Sequence, residues 1–229
     1  MWCIVPAAGI GSRMQSEVPK QYLKLQNNKT ILDTTIEKLL RSDVIKNIMV
    51  VLHPKDQHWT HSIYVKHQHV QICIGGKNRV DSVFNALQSL KKKVKNDQWV
   101  MVHDAARACV SSDDVDALYH MVEVTESVGG ILALPVYETV KQADMFDNIV
   151  KTVDRSDLWL AQTPQMFSYE ILIKSVYKAL QDNVVITDEA SAVEYAGFKP
   201  ILMEGRRSNI KITVSEDIEF ANHCLKIQK

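Results

Sequence analysis

Short apolar runs separated by longer stretches of helical periodicity recur along this chain. Trp2 to Val5 reads as a buried strand, since a brief continuous apolar run bounded by turn residues buries both faces. Ile31, Leu32, Thr35, Ile36, Leu39 and Leu40 follow helical spacing, which predicts an amphipathic helix over residues 30–41. Ile45 to Leu52 is the next strand, ending at His53-Pro54; residues 56–67 read as helical, and Gln71 to Ile74 is a third strand. Val80, Val83, Phe84, Leu87 and Leu90 mark one face of a helix that begins near Asn78. Trp99 to Val102 is a fourth strand, Ser111 or Ser112 caps a helix running to about Ser127, and Gly130 to Leu134 is a fifth strand.

Strand and helix alternate up to this point, which predicts an α/β fold with a doubly wound, mostly parallel sheet. The pattern then breaks. Residues 135–158 hold β-prone pieces around Thr139-Val140-Lys141 and Ile149 to Val153, separated by Asp144-Met145-Phe146-Asp147-Asn148. They read as a hairpin-like arm, and its Val140, Met145, Phe146 and Ile149 need covering, most simply by a second copy of the chain. Thr163-Pro164-Gln165 predicts a rigid turn before a helix over 168–181, and Thr187-Asp188-Glu189-Ala190 caps a helix to Tyr195 that Gly197 ends. Ile201 to Met203 and Ile210 to Thr213 read as short strands, with a closing helix over 215–227. No repeat or low-complexity linker interrupts the chain, so residues 1–229 are expected to form one domain, with 135–158 as an excursion.

Composition removes several function classes. Lys+Arg and Asp+Glu both total 27, so no overall field favours nucleic acid or a membrane surface, and neither is expected as a partner. The apolar start lacks a basic leader and is interrupted by Pro6, and no run approaches about 18 apolar residues, so no signal peptide or membrane span is expected. Cys3, Cys73, Cys109 and Cys224 form no Cys-x-x-Cys, and two of them fall in predicted strands, the pattern of free thiols in a reduced, cytoplasmic protein. His58, His61, His67 and His69 lack the glutamate of a zincin motif and read as surface residues.

The chemistry concentrates at strand ends. After the first strand come Ala7-Ala8-Gly9-Ile10-Gly11, then Arg13 and Lys20; the first 30 residues carry Arg13, Lys20, Lys24 and Lys29 against Glu17 alone. Such a loop suits a polyphosphate, although a tight strand-to-helix turn with solvated charges accounts for the glycines equally well. Met14 occupies the third small position of the dinucleotide fingerprint, and Gly-Ser-Arg is not the Gly-Lys-Ser/Thr of ATPase loops, so both motifs are excluded. Gly75-Gly76 before Asn78 offers either free amides for a ligand or a capped helix with Arg79 and Ser82 merely exposed. His103-Asp104-Ala105-Ala106-Arg107 either serves a metal-bound phosphate and an anionic substrate or forms a structural Asp104–Arg107 pair. His103 beside a buried strand reads as a hydrogen-bonded core histidine rather than a general base. No nucleophile of the Ser/His/Asp or Cys/His kind emerges.

Across almost its whole length the chain resembles the 2-C-methyl-D-erythritol 4-phosphate cytidylyltransferases. The resemblance runs from Pro6-Ala7-Ala8-Gly9 to Asn209-Ile210-Lys211, and its matching blocks are Pro19-Lys20-Gln21-Tyr22, Val102 to Arg107, Thr152-Val153-Asp154-Arg155, Gln162-Thr163-Pro164-Gln165 and Thr187-Asp188-Glu189-Ala190-Ser191. The resemblance implies a Rossmann-like nucleotidyltransferase fold whose β-arm serves dimerisation. It also implies a reaction of CTP with a small polyol phosphate, releasing pyrophosphate, with Mg²⁺ or another divalent cation. By the same resemblance Arg13 and Lys20 are the catalytic cations. Ala7, Ala8, Gly9, Gly11, Gly76, Ser82 and Asp104 bind nucleotide, with Asp104 also the metal ligand beside the triphosphate. Arg107, Thr139, Arg155, Thr187 and Lys211 bind the substrate, the arm completing the site of the neighbouring copy in a homodimer. Lys77 stands where the family often has an acidic residue, and Ala108 where proline commonly follows. A ribitol 5-phosphate cytidylyltransferase and a non-catalytic CTP or CDP-alcohol binding module are the alternative readings.

Overall fold

The computed structural model of the protein describes residues 1–9 and 18–228. The chain runs through β1 (Trp2–Pro6), α1 (Ile31–Leu40), β2 (Asn47–Leu52), β3 (Val70–Ile74), α2 (Arg79–Leu90), β4 (Trp99–Val102), α3 (Ser112–Val124) and β5 (Gly129–Pro135). It continues through β6 (Val140–Ala143), β7 (Ile149–Val153), β8 (Trp159–Ser168), α4 (Tyr169–Gln181), α5 (Glu189–Tyr195), β9 (Ile201–Glu204) and α6 (Glu216–Ile227). Among the described residues no helix is long and apolar enough to cross a membrane.

Seven strands pair in the order β3-β2-β1-β4-β8-β5-β9. The pairs β1–β2, β1–β4, β2–β3 and β5–β9 are parallel, whereas β8 runs antiparallel to both β4 and β5. Parallel pairs need long crossovers, and the helices that make them cover both faces of the sheet. The two-residue period of β1 shows how: Cys3 and Val5 pack with Leu32 and Ile36 of α1 and Leu118 and Val122 of α3. Ile4, between them, packs with Val83 and Leu87 of α2 and Leu172 and Val176 of α4. The sheet is therefore doubly wound and mostly parallel, as the alternation of runs predicts.

Three local expectations are corrected. Residues 56–67 contain one short 3-10 turn, Trp59–His61, instead of an α-helix. The Asp56 carboxylate accepts from the His58 and Trp59 amides at 3.0 and 2.9 Å, and this competing local bonding diverts the backbone. Thr163-Pro164-Gln165 lies inside β8 and not in a turn, with a cis bond at Thr163–Pro164. The pairing of β5 with β8 slips between Ile131 and Ala133, the kind of irregularity at which a strand tolerates a residue without an N–H. Residues 210–213 form no strand: Ile212 packs with Ala221 and Cys224 of α6, and its amide donates to the Ala106 carbonyl at 2.8 Å.

Among the described residues β6 and β7 pair only with each other. Their connection is shaped by Asp144, whose carboxylate accepts from the Phe146 and Asn148 amides at 2.8 and 3.0 Å. Pro135 pairs with Trp159, so the hairpin is an extension of the β5–β8 pair. Because β5 runs the same way as β1 and β4, the arm departs from the sheet edge where those strands end.

Candidate active site

A cleft of about 320 Å³ opens at the C-terminal ends of β1 and β4, the edge where open α/β sheets hold ligands. Ala7, Ala8, Gly9, Lys20, Gly76, Ser82, Asp104 and Lys211 all line it, so eight of the residues singled out in the sequence converge there. Gly11 and Arg13 lie outside the described residues. Thr139, Arg155 and Thr187 are exposed and are not among the residues lining the cleft.

The floor is backbone from two turns. Gln21, buried beside Lys20 in a single 3-10 turn (Lys20–Tyr22), donates its Nε2 hydrogens to the Ala7 carbonyl at 2.7 Å and the Gly9 carbonyl at 3.0 Å. Both carbonyl oxygens are thereby satisfied by one side-chain amide. A Cβ on Gly9 would meet nothing within 4 Å among the described residues. On the opposite side, the Gly76 amide donates to Ser82 Oγ at 3.1 Å, and Ser82 donates to the Asn78 carbonyl at 3.0 Å. A Cβ on Gly75 would come within 2.7 Å of the Ala8 side chain, so glycine there lets the two turns touch. Ser82 is buried and structural to this turn, which removes the reading of it as merely exposed.

The wall is an ion-pair cluster centred on Asp104. Arg79 donates to Asp104 Oδ1 through Nη2 at 3.1 Å and Nε at 3.3 Å, and Lys211 Nζ lies 2.8 Å from Oδ2. Arg107 Nε stands 3.7 Å away, a longer contact than the structural pair considered from sequence. Burial alone would raise the Asp104 carboxyl, yet Arg79, Lys211 and Arg107 together hold it well below the usual carboxylate range. Arg107 is itself mostly buried, does not line the cleft, and donates to the Asn209 carbonyl at 2.7 Å. Asn209, also buried, donates to the Thr163 carbonyl at 2.8 Å. Together with the Ile212–Ala106 bond these contacts present Lys211 to Asp104, while Lys20 Nζ donates to the Ile212 carbonyl at 2.9 Å.

His103 is a core histidine. Its Nε2 is 3.1 Å from the Arg107 carbonyl and must carry the hydrogen, because a carbonyl only accepts. Nδ1 then accepts from Thr163 Oγ at 3.1 Å, and that hydroxyl accepts from the Asp104 amide at 3.0 Å. Burial pushes the imidazole down to about 4, so it is neutral in the neutral pH range and aligns the Asp104 backbone without donating a proton to a substrate.

Three site residues escape sequence reasoning. Arg79, taken as a surface residue, pairs with Asp104 and with Glu189. Gln21 and Asn209 stand in stretches that match the family, but their roles show only in their contacts to backbone carbonyls. Among the described residues no group of three or more His, Cys, Asp or Glu side chains gathers to hold a metal. A single ionised carboxylate beside a cationic cleft suits a divalent ion carried chiefly by a polyphosphate, with Asp104 as its protein ligand.

A cleft lined by backbone and fixed charge, with no His or Cys among the described residues of its lining, at this edge of this sheet, is the arrangement of an α/β nucleotidyltransferase. Comparison with known proteins narrows the class. The 2-C-methyl-D-erythritol 4-phosphate cytidylyltransferase (IspD) family model matches residues 1–227. A relative of that name from Vesicomyosocius okutanii subsp. Calyptogena okutanii (strain HA) is 45% identical over 235 residues, covering 98% of this chain and 96% of that one. One from Vibrio vulnificus (strain CMCP6) is 45% identical over 226 residues, covering 99% and 94%. The crystal structure of the Francisella tularensis enzyme of that name superposes with a TM-score of 0.85 at 44% identity, covering 97% of this chain and 98% of that one. The chain belongs to the 2-C-methyl-D-erythritol 4-phosphate cytidylyltransferase family.

Gln21→Glu keeps the side chain's shape but turns an oxygen toward the two carbonyls it now holds. Losing a buried hydrogen bond costs about 1–3 kcal/mol, so calorimetric titration with CTP is expected to show affinity at least about fivefold weaker than wild type. Unchanged affinity in the folded variant would show that the loop keeps its shape without Gln21.

Proposed function

We propose that the chain transfers the cytidylyl group of CTP to 2-C-methyl-D-erythritol 4-phosphate. The observation that carries the reading is the family match along residues 1–227, together with the cationic, backbone-lined cleft. A phosphate oxygen of the acceptor attacks the α-phosphorus of CTP in line. The new O–P bond forms as the bond to the β-phosphate oxygen breaks, and pyrophosphate leaves. Charge grows on the non-bridging and leaving oxygens, so positioning and cations suffice, with no covalent intermediate on the protein.

In this reading the backbone of Ala7, Ala8 and Gly9, with Gly11, cradles the triphosphate, and Lys20 and Arg13 stabilise the developing charge. Gly76 and Ser82 orient the base, and Asp104 contacts the nucleotide. Asp104, together with the triphosphate, would hold Mg²⁺, and the ion would supply neutralisation of phosphate charge. Arg155 and Lys211, with Thr139, Thr187 and Arg107, receive the acceptor. Lys211 is 41% exposed at the cleft, whereas Arg155 and Thr139 sit on an arm that offers them outward. That placement supports a homodimer in which each arm reaches the other copy's cleft. The apolar surface of the arm supports it too, with Met145 87%, Phe146 75% and Ile149 67% exposed.

The test is pyrophosphate release from CTP and Mg²⁺ with 2-C-methyl-D-erythritol 4-phosphate or ribitol 5-phosphate as acceptor. Release with the first alone is the expected outcome, and chelation of the metal should abolish it. Release only with ribitol 5-phosphate would change the acceptor and keep the chemistry. Silence with both, from folded protein that binds CTP, would favour a binding module.

The dimer has its own check. Phe146→Asp places a charge where an aromatic ring of about 2 kcal/mol burial value would otherwise pack. Sedimentation should show the assembly falling to monomer, with activity lost in parallel and the circular dichroism unchanged. An unchanged sedimentation coefficient would exclude Phe146 from the interface.

A further inference from the structure

Arg79 stands at the first position of α2, in the lining of the cleft, and is gripped on two edges. Its Nη1 and Nη2 donate to Glu189 Oε1 and Oε2 at 2.6 and 3.0 Å, while Nε and Nη2 donate to Asp104 Oδ1. A guanidinium is a rigid fork, so two carboxylates on two edges set both the position and the plane of the group. The Glu189 side chain is only 3% exposed and does not line the cleft.

Glu189 is itself rooted in the sheet. It opens α5 next to the cap residue Asp188, whose carboxylate accepts from the Ser191 amide at 2.9 Å. Gln165 of β8 donates to Asp188 Oδ2 at 2.8 Å and accepts from the Ala190 amide at 2.9 Å. A continuous series of directional contacts therefore runs from β8 through α5 and Glu189 to Arg79, and ends on the carboxylate in the cleft.

Charge explains why a second carboxylate matters. Without Glu189, Arg79 would be an incompletely compensated cation bordering a cleft that receives a highly anionic ligand. The phosphates would compete with Asp104 for its guanidinium. With Glu189 in a bidentate pair, the arginine's charge is largely answered on its buried side, and its remaining hydrogen bonds are left to Asp104.

We propose that Glu189 is a positioning residue for the nucleotide: by fixing the plane of Arg79 it holds Asp104 in the one orientation that meets the bound nucleotide. This rests on the reading of Asp104 as a nucleotide contact. It predicts that a residue outside the cleft controls CTP affinity more than it controls the acceptor.

The test is calorimetric CTP binding and steady-state kinetics on Glu189→Gln, Asp104→Asn and the double variant Arg79→Gln with Glu189→Gln. Glu189→Gln keeps volume and removes charge. It is expected to weaken CTP binding about tenfold, equivalent to about 1.4 kcal/mol, with the KM for the acceptor within about twofold of wild type. The double variant leaves neither Arg79 nor Glu189 as an unpaired charge, so it carries the test even if Glu189→Gln fails to fold. Asp104 keeps Lys211 and Arg107 in the double variant, so that variant is expected to fold and to bind CTP about as weakly as the single variant, since both changes break one coupled unit.

Wild-type CTP affinity in folded Glu189→Gln or in the double variant, with Asp104→Asn impaired, overturns the positioning role alone. Unimpaired CTP binding in Asp104→Asn overturns the reading of Asp104 and this proposal with it. Equal losses toward CTP and acceptor, following a fall in unfolding temperature, would reduce Glu189 to a stabilising residue and also overturn it.

Discussion

The ionised carboxylate of Asp104, largely withdrawn from water just beyond the end of a central strand, is the constraint that the architecture of the cleft answers. Removing one partner from a buried ion pair typically costs about 3–5 kcal/mol, so such a carboxylate demands cations held in place. They come from three segments: Arg79 from α2, Arg107 from the loop after β4, and Lys211 from the stretch before α6. Glu189 of α5 then answers Arg79. The cluster therefore has one positive charge in excess, counting three cations against two carboxylates. A cleft with this balance carries a fixed positive field before any anion arrives, which is the condition under which fixed charge is most effective in catalysis.

Sheet topology decides where these groups can meet. β1 and β4 are parallel neighbours, so the turns that follow them open on the same edge. The antiparallel β8 has a different consequence. Since it pairs with both β4 and β5, it carries Gln162, Thr163 and Gln165 past the loop after β4, where they bond to Asn209, to the Asp104 amide and to Asp188. The same reversal makes the β5–β8 connection a hairpin that can be prolonged without disturbing the sheet, and β6 and β7 are that prolongation.

Much of this was legible in the residues. Period-two and helical spacings located the principal strands and helices, and small residues and charges at strand ends marked the loops that line the cleft. What was not legible has one physical character, namely contact between segments far apart in sequence. Arg79 and Glu189 are 110 residues apart, and nothing local to either distinguishes a buried bidentate pair from two solvated charges. Ile210 and Ile212 show a strand's alternation because Ile212 packs against α6, and a hydrophobic face satisfied by a helix leaves the same pattern as one satisfied by a sheet. Pro164 read as a turn because the sequence does not reveal the pairing slip in β5 that lets β8 carry it.

The charged groups in and around the cleft fall into two kinds, and the distinction bears on catalysis. Arg79 and Arg107 are bound on several sides to carboxylates and carbonyls, so moving either would expose buried partners. Lys211 is half exposed and its flexible ammonium is a compact point charge, while Arg155 lies on an exposed hairpin. Groups of the first kind shape a fixed field, and groups of the second kind can shift with a bound anion. Cytidylyl transfer needs both: a fixed field around the α-phosphorus, where charge develops, and adaptable cations where the acceptor arrives and the larger product must leave.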